Sequence, residues 1–321
     1  VSRMVDAFID GKSWTNVVDE INRYSKITKS DIVAFVNRHF TDGYAVVYKR
    51  MGEDTNQKKI EKPAITPISS NRELSSQFLR DIQNVKVEPI QPKFVDFKKD
   101  LTLTKTATGI PVLYKQNTAD GLFNLSFVYP FGETDNLKIA YAANYLDYVG
   151  TDKMSAAEVK QAFYRLACKW DISVGEKELW ISLSGLNDKM PEALHLLTYV
   201  LGHAKGDQKS YDKYVASILK ERADSKTDQS TCASSLKDYG EYGSYNRSLH
   251  ILSDSLLKSQ NPQQLLDELK KLSKIEHQIT YFGSDTQSQF LSLISKVHQT
   301  PKKLLPAPTG KEYVRQVTSS N

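Results

Sequence analysis

Cysteine is nearly missing from this sequence: two of its 321 residues, Cys168 and Cys232, carry a thiol. Neither sits in a C-x-x-C pair, which removes the usual basis for a cysteine-built zinc site, and nothing requires the two to pair with each other. Cys168 closes what reads as an apolar helical stretch and is expected to be a small buried hydrophobe. Long uncharged apolar runs are absent too, and mean hydropathy is -0.47, so no membrane span is expected. The opening residues, VSRMVDAFIDGKSW, lack a basic segment leading into an apolar one, and no signal peptide is visible. Both ends read as cut from a longer chain, which leaves localisation open. Charge of one sign is also lacking. Lys and Arg number 43 against 38 Asp and Glu, a net charge of +5, and the two signs interleave as in KERADSKTD at 220–228. No basic cluster forms, so no nucleic-acid partner is expected. The small positive excess is mildly suited to acidic or neutral peptides.

Nucleotide and hydrolase signatures are missing as well. There is no G-x-x-x-x-G-K-[ST], no G-x-G-x-x-G after a strand and no G-x-S-x-G elbow. The six histidines are His39, His195, His203, His250, His277 and His298, and no two lie four residues apart. A single helical turn therefore cannot offer two imidazoles to one ion.

What is present divides into three regions by composition. In residues 1–52, Trp14, Val17, Val18 and Ile21 recur at helical spacing, and Thr28-Lys-Ser-Asp31 opens a second helix carrying Ile32, Phe35, Val36 and Phe40. YAVVYKR at 44–50 reads as a strand. Two helices and one strand bury too little, so this is expected to be the end of an interrupted domain. Residues 53–100 are broken by Pro63, Pro67, Pro89 and Pro92, with a helix expected only over 71–82, and read as an inter-domain linker.

Residues 101–300 carry a continuous pattern. LTLTKT and PVLYKQ flank a turn at Gly109–Pro111, and LFNLSFVY places Phe123, Leu125, Phe127 and Tyr129 on one side. Helices are expected from Leu137 to Val149, ended by Gly150, and from a capping box at Ser155-x-x-Glu158. KWDISVGE and ELWISLSG form a second hairpin, with Leu179, Ile181 and Leu183 alternating. Several helices fill 190–272, HQITYFG at 277–283 is a closing strand, and a last helix spans 286–297. Strands come in hairpins and helices in runs, so the class is α+β: a largely antiparallel sheet with helices packed on one face. The helix-and-strand close of this region echoes that of residues 1–52, as the tail of one repeat followed by the whole of the next.

The run at 146–197 (LDYVGTDKM through EALHLL), the PFGETDN turn at 130–136 and DYGEYGSYNRSLHILS resemble the insulinase/pitrilysin-like zinc peptidases, the inverzincins. Most similar are the long bacterial forms, whose four homologous α+β domains make two lobes around a chamber. The resemblance implies the domain type shared by the metalloenzyme LuxS and the mitochondrial processing peptidase. It assigns 1–52 to the C-terminal part of a preceding domain, 53–100 to the linker, 101–300 to a complete domain and 301–321 to the start of a connection to a further domain. It implies as partners the other domains of the same chain and a peptide substrate, in a bacterial cytoplasm or periplasm.

Those peptidases carry H-x-x-E-H on a helix, with a further Glu from a later helix as third ligand. Here the equivalent helix reads Asn144-Tyr145-Leu146-Asp147-Tyr148, with Asn144 and Tyr148 at the histidine positions and Asp147 at the glutamate position. An amide and a phenol are poor zinc ligands, so this segment is expected to be non-catalytic and to hold no cofactor, with zinc belonging to the intact parent. Tyr141, Tyr145 and Tyr148 are expected in core packing with hydroxyls at its edge. His195 is expected at the edge of the core, and Glu221 and Asp224 as helix-surface charges. Tyr239, Tyr242, Tyr245 and Arg247 are candidate substrate contacts, because the resemblance assigns an Arg and a Tyr of the paired domain to that role. Packing of these tyrosines at a tight turn is the plainer reading. The functional expectation is chamber wall and substrate support in a zinc metallopeptidase. The alternative is a metal-free family member acting as an assembly or interaction subunit.

Overall fold

The computed structural model describes residues 2–49, 52, 60–67 and 74–317. They fall into two compact units, Val1–Glu88 and Pro89–Asn321, each taken by itself below. Among its described residues the first holds five helices: α1 (Ser2–Ile9), α2 (Trp14–Val18), α3 (Glu20–Tyr24), α4 (Lys29–His39) and α5 (Gln77–Gln83). Local chemistry sets their starts. Thr28 accepts from the Asp31 amide while Asp31 accepts from that of Thr28, a reciprocal capping box at α4. Ser76 caps α5 in the simpler way.

Two expectations for this unit need correction. Residues 44–49 form no strand, since a strand exists only where a neighbouring strand accepts its hydrogen bonds, and none is supplied among the described residues; Arg50 lies outside them. The helix expected over 71–82 spans Gln77–Gln83, and residues 71–73 lie outside the described residues. With no strand after α4, the repeat echo reduces to its helices.

The second unit is built on a six-stranded sheet in the order β1-β2-β6-β3-β5-β4. The strands are β1 (Thr102–Lys105), β2 (Pro111–Gln116), β3 (Leu122–Tyr129), β4 (Cys168–Val174), β5 (Leu179–Leu186) and β6 (Gln278–Gly283). All neighbours are antiparallel except β2 with β6. The closing strand is thus not at an edge: it inserts between the two hairpins, pairing Tyr281 with Tyr114 on one side and with Leu125 on the other. On β3, Phe123, Leu125, Phe127 and Tyr129 are buried while Asn124, Ser126 and Val128 are not, and Leu179, Ile181 and Leu183 repeat this on β5. One face is therefore apolar and covered.

The cover is helical: α6 (Leu137–Leu146), α7 (Ala156–Arg165), α8 (Met190–His203), α9 (Gln208–Ser225), α10 (Gln229–Tyr242), α11 (Asp254–Ser259), α12 (Pro262–Lys271) and α13 (Gln287–Val297). Helix α8 buries Met190, Ala193, Leu194, Leu197 and Val200, the spacing of one helical face. The Ser155–Glu158 capping box forms at α7, and Thr286 with Gln289 forms another at α13. Helix α6 ends at Leu146 rather than Val149, with a turn through Tyr148. Cys168 does not end a helix; it opens β4, buried, and neither cysteine is in a disulfide. The architecture is α+β with a mostly antiparallel sheet, as the strand and helix pattern implies.

Candidate functional site

Helices α6 and α9 face each other across a cleft of about 630 Å³. Tyr141, Asn144, Asp147 and Tyr148 line it from α6 and the turn that follows. Tyr214, Glu221 and Arg222 line it from α9, and Glu133 and His250 stand at its rim. The side chains between these positions fix the two helices. Fully buried Tyr145 donates to the Asp207 carbonyl at 2.7 Å and accepts from the Asp207 amide at 3.0 Å, tying α6 to the N-cap of α9. Tyr214 donates to the Tyr141 carbonyl at 3.2 Å, and its ring lies 5.3 Å from that of Tyr148. Burial pushes the Tyr214 hydroxyl far above its usual range, so it stays neutral. Arg222 donates at 2.9 Å to both the Tyr141 hydroxyl and the Leu252 carbonyl, and it pairs with Asp254.

Asn144, Asp147 and Tyr148 thus share one concavity with Glu221, an exposed helix-surface charge of α9 that also lines the cleft. Asp224 is a helix-surface charge too, exposed and paired with Lys220. Tyr145 is core with its hydroxyl bonded at the edge, while Tyr148 is left half-open on the cleft wall. The donors do not fit a catalytic zinc. Its sites take imidazole, thiolate and carboxylate, whereas Asn144 at the end of α6 and Tyr148 in the turn beyond it offer an amide and a phenol. Among the described residues no three of His, Cys, Asp and Glu come together in a metal-holding arrangement.

A second cluster gathers around 239–250. Helix α10 stops at Gly243, whose φ of 72° lies in the left-handed region that favours glycine. The chain's last described segment packs here. Tyr313 sets its ring 5.3 Å from Tyr245 and 6.5 Å from Tyr242, and its hydroxyl lies 3.0 Å from His250 Nδ1. The Gln316 amide donates to the Glu241 carbonyl at 2.7 Å. The Gly310 amide donates to Asp135 at 2.8 Å. Burial opposes ionisation of Asp135, yet the Gly310 and Gly132 amides and Lys177 together hold its carboxyl below the usual range. Arg247 is engaged with Glu133 at 3.2 Å and Glu176 at 3.1 Å. Tyr239 stands apart, exposed. Of the four candidate contacts, Tyr242 and Tyr245 therefore share a patch against the 310–316 segment, and Arg247 reaches the cleft rim through Glu133.

One juxtaposition has no signal in sequence spacing: His277 Nε2 and His298 Nε2 lie 2.9 Å apart, brought together by β6 and the end of α13. Twenty-one residues separate them, so only the packing of α13 on the sheet reveals the pair.

No family model matches the sequence, and no curated protein matches it. Solved structures do. A peptidase M16 inactive domain from Pseudomonas fluorescens is similar at 20% identity and a TM-score of 0.54, over 65% of this chain and 52% of that one. PqqL, a periplasmic protease from Escherichia coli, is similar at 13% identity and 0.57, over 92% of this chain and 31% of that one. A mutant of the ferredoxin protease FusC, solved in complex with Arabidopsis ferredoxin, is similar at 13% identity and 0.58, over 91% and 30%. The chain spans between 30% and 52% of the length of these structures. No helix among the described residues is long and apolar enough to cross a membrane. At these identities the likeness carries the fold alone, and the fold of this chain is that of the peptidase M16 domains.

Proposed function

We propose that this chain is a non-catalytic segment of a larger M16-type zinc peptidase, forming chamber wall and supporting a peptide that the parent protein cleaves elsewhere. The observation that carries this reading is the α6–α9 cleft. It keeps a concavity at the inverted-motif positions but furnishes Asn144, Asp147 and Tyr148 in place of the two imidazoles and the glutamate. An M16 domain described as inactive has the same fold, which supports the reading. In it, residues 1–52 end a preceding homologous domain, 53–100 link the lobes, 101–300 form the complete domain and 301–321 lead onward. Its partners are the other domains of the parent and the peptide. Tyr242 and Tyr245 bear on an extended polypeptide, for which residues 310–316 are the visible example, and Arg247 stands nearby, paired with Glu133 and Glu176. Zinc belongs to a different domain of the parent.

The missing donors also support a second reading, a metal-free family member that serves as an assembly or interaction subunit. The parent reading frame separates the two, because the first requires an H-x-x-E-H helix outside this chain. The functional test mixes this chain with a purified domain bearing that motif and follows peptide hydrolysis. Cleavage exceeding that of either part alone supports the first reading, and no gain at saturating chain contradicts it.

A further inference from the structure

Away from the α6–α9 cleft, a cavity of about 330 Å³ opens between the sheet and helices α8, α12 and α13. Its walls are chiefly apolar: Phe127, Ile181, Leu197, Leu201, Leu269 and Val297. That volume lies in the lower range of small-molecule sites. Tyr129 and His298 also line it, together with the polar side chains of His195, Thr198, Lys270, Ser273, Lys296 and Gln299.

The hydrogen-bond pattern fixes what His298 offers. His277 Nδ1 lies 2.7 Å from the Ile275 carbonyl, which only accepts, so that nitrogen carries a proton. Burial favours the neutral form of both imidazoles. A neutral His277 then has a bare Nε2, and His298, 2.9 Å away, must donate to it from its own Nε2. The remaining nitrogen, His298 Nδ1, is left with a lone pair and no partner among the described residues. Tyr129 is 2% exposed and its hydroxyl likewise has no hydrogen-bond partner among them. Neither atom is sealed off: among the described residues Thr134 Oγ1 is the one buried side-chain oxygen or nitrogen without a partner, so both stay open to a ligand in the cavity.

We propose that this cavity binds a neutral, mainly apolar alcohol or phenol, whose hydroxyl donates to His298 Nδ1 and accepts from Tyr129. A carboxylate is disfavoured there, because its oxygens meet the lone pair of Nδ1. The ammonium groups at the mouth do not reverse this: Lys270 is already held by Asp267 at 3.0 Å, and Lys296 is exposed to water. A hydrocarbon without a donor fills the same volume and leaves both polar groups unmatched.

The test titrates the full 321-residue chain with 4-methylphenol, toluene and 4-methylbenzoate at pH 7.5, following amide shifts of Leu197 and Leu201 by NMR. The phenol is expected to bind about fivefold more tightly than toluene, the effect of one neutral hydrogen bond, and the benzoate most weakly. Long-range ¹H–¹⁵N spectra are expected to place the His298 proton on Nε2. His298→Phe should bring the phenol down to the affinity of toluene. Leu201→Trp, which puts a larger side chain on the cavity wall, should abolish binding of both. The proposal is overturned by equal affinities for phenol and toluene, by no binding of either up to their solubility, by a proton on Nδ1, or by phenol binding that survives Leu201→Trp.

Discussion

The two units follow the same local rules and end with opposite surfaces. In Val1–Glu88, Ala7 is the one buried apolar side chain among the described residues, while Phe8 is 87% and Val47 92% exposed. In Pro89–Asn321 a continuous cluster joins β3, β5 and β6 to α6, α8, α12 and α13. Both contain capping boxes and helices with apolar stripes. The difference is sheet pairing. Helical hydrogen bonds close within four residues, so α4 forms wherever its sequence goes. A strand needs a distant partner, and YAVVYK lacks one among the described residues. Local chemistry makes elements; only the pairing of distant segments makes a core.

The largest test of that contrast exchanges an apolar side chain for a charge in each unit. Leu125→Asp should cost more than about 4 kcal/mol and abolish the cooperative melt, since it buries a carboxylate among Phe127, Ile181 and Tyr281 with no partner. Val47→Asp should leave the melting temperature unchanged by circular dichroism. Equal effects at the two positions would break the comparison.

The next test sits where the units differ in buried polar bonds. Tyr145→Phe removes both hydrogen bonds to Asp207 and leaves a backbone amide unpaired, an expected loss of about 2 kcal/mol in urea denaturation. Tyr48→Phe, at an exposed position of the first unit, should be neutral.

Acid should then distinguish them more gently. Burial lowers the proton affinity of His277, and that of His298 to about 3, whereas unfolded histidine titrates near 6.5. Between those values the unfolded chain binds more protons, so the stability these histidines contribute is full above about pH 6.5 and is lost as pH falls toward 3. The second unit should weaken by at most about 1.4 kcal/mol per pH unit for each of these imidazoles below pH 6.5. His298→Phe should flatten that slope in thermal melts. A slope unchanged by the substitution contradicts the assignment.

Capping gives the smallest expected effect. Ser155→Ala should cost about 1 kcal/mol in the global melt. Thr28→Ala should appear only as lost helical signal, because α4 has no packed core around it to report the loss. A shift of the global melt with Thr28→Ala would tie the first unit to a core.

How much the sequence discloses follows the same division. The alternation through Phe123, Leu125, Phe127 and Tyr129, and both capping boxes of α4 and α7, are legible because each feature is set by residues two to four apart. Asn144, Asp147 and Tyr148 are legible as candidate positions for the same reason, being set by spacing within a short segment. The insertion of β6 between β2 and β3 is not, because strand order depends on pairing across more than 150 residues. Nor is the meeting of His277 with His298, the place of Glu221 in the cleft, or the docking of Tyr313 on Tyr245. Spacing rules are blind to contacts made by tertiary packing. Cys168 was open to misreading because AFYRLAC has helical periodicity to its last residue, while the chain turns at Ala167, at a φ of 48°, before β4.

Zinc content measures the central claim most directly. The purified chain, dialysed against zinc and then against buffer, should retain no stoichiometric metal by mass spectrometry. The combined variant Asn144→His, Asp147→Glu and Tyr148→His should retain about one zinc per chain, because the cleft that Glu221 also lines then carries two imidazoles and a further carboxylate. A wild-type chain that holds one tightly bound zinc would contradict the account.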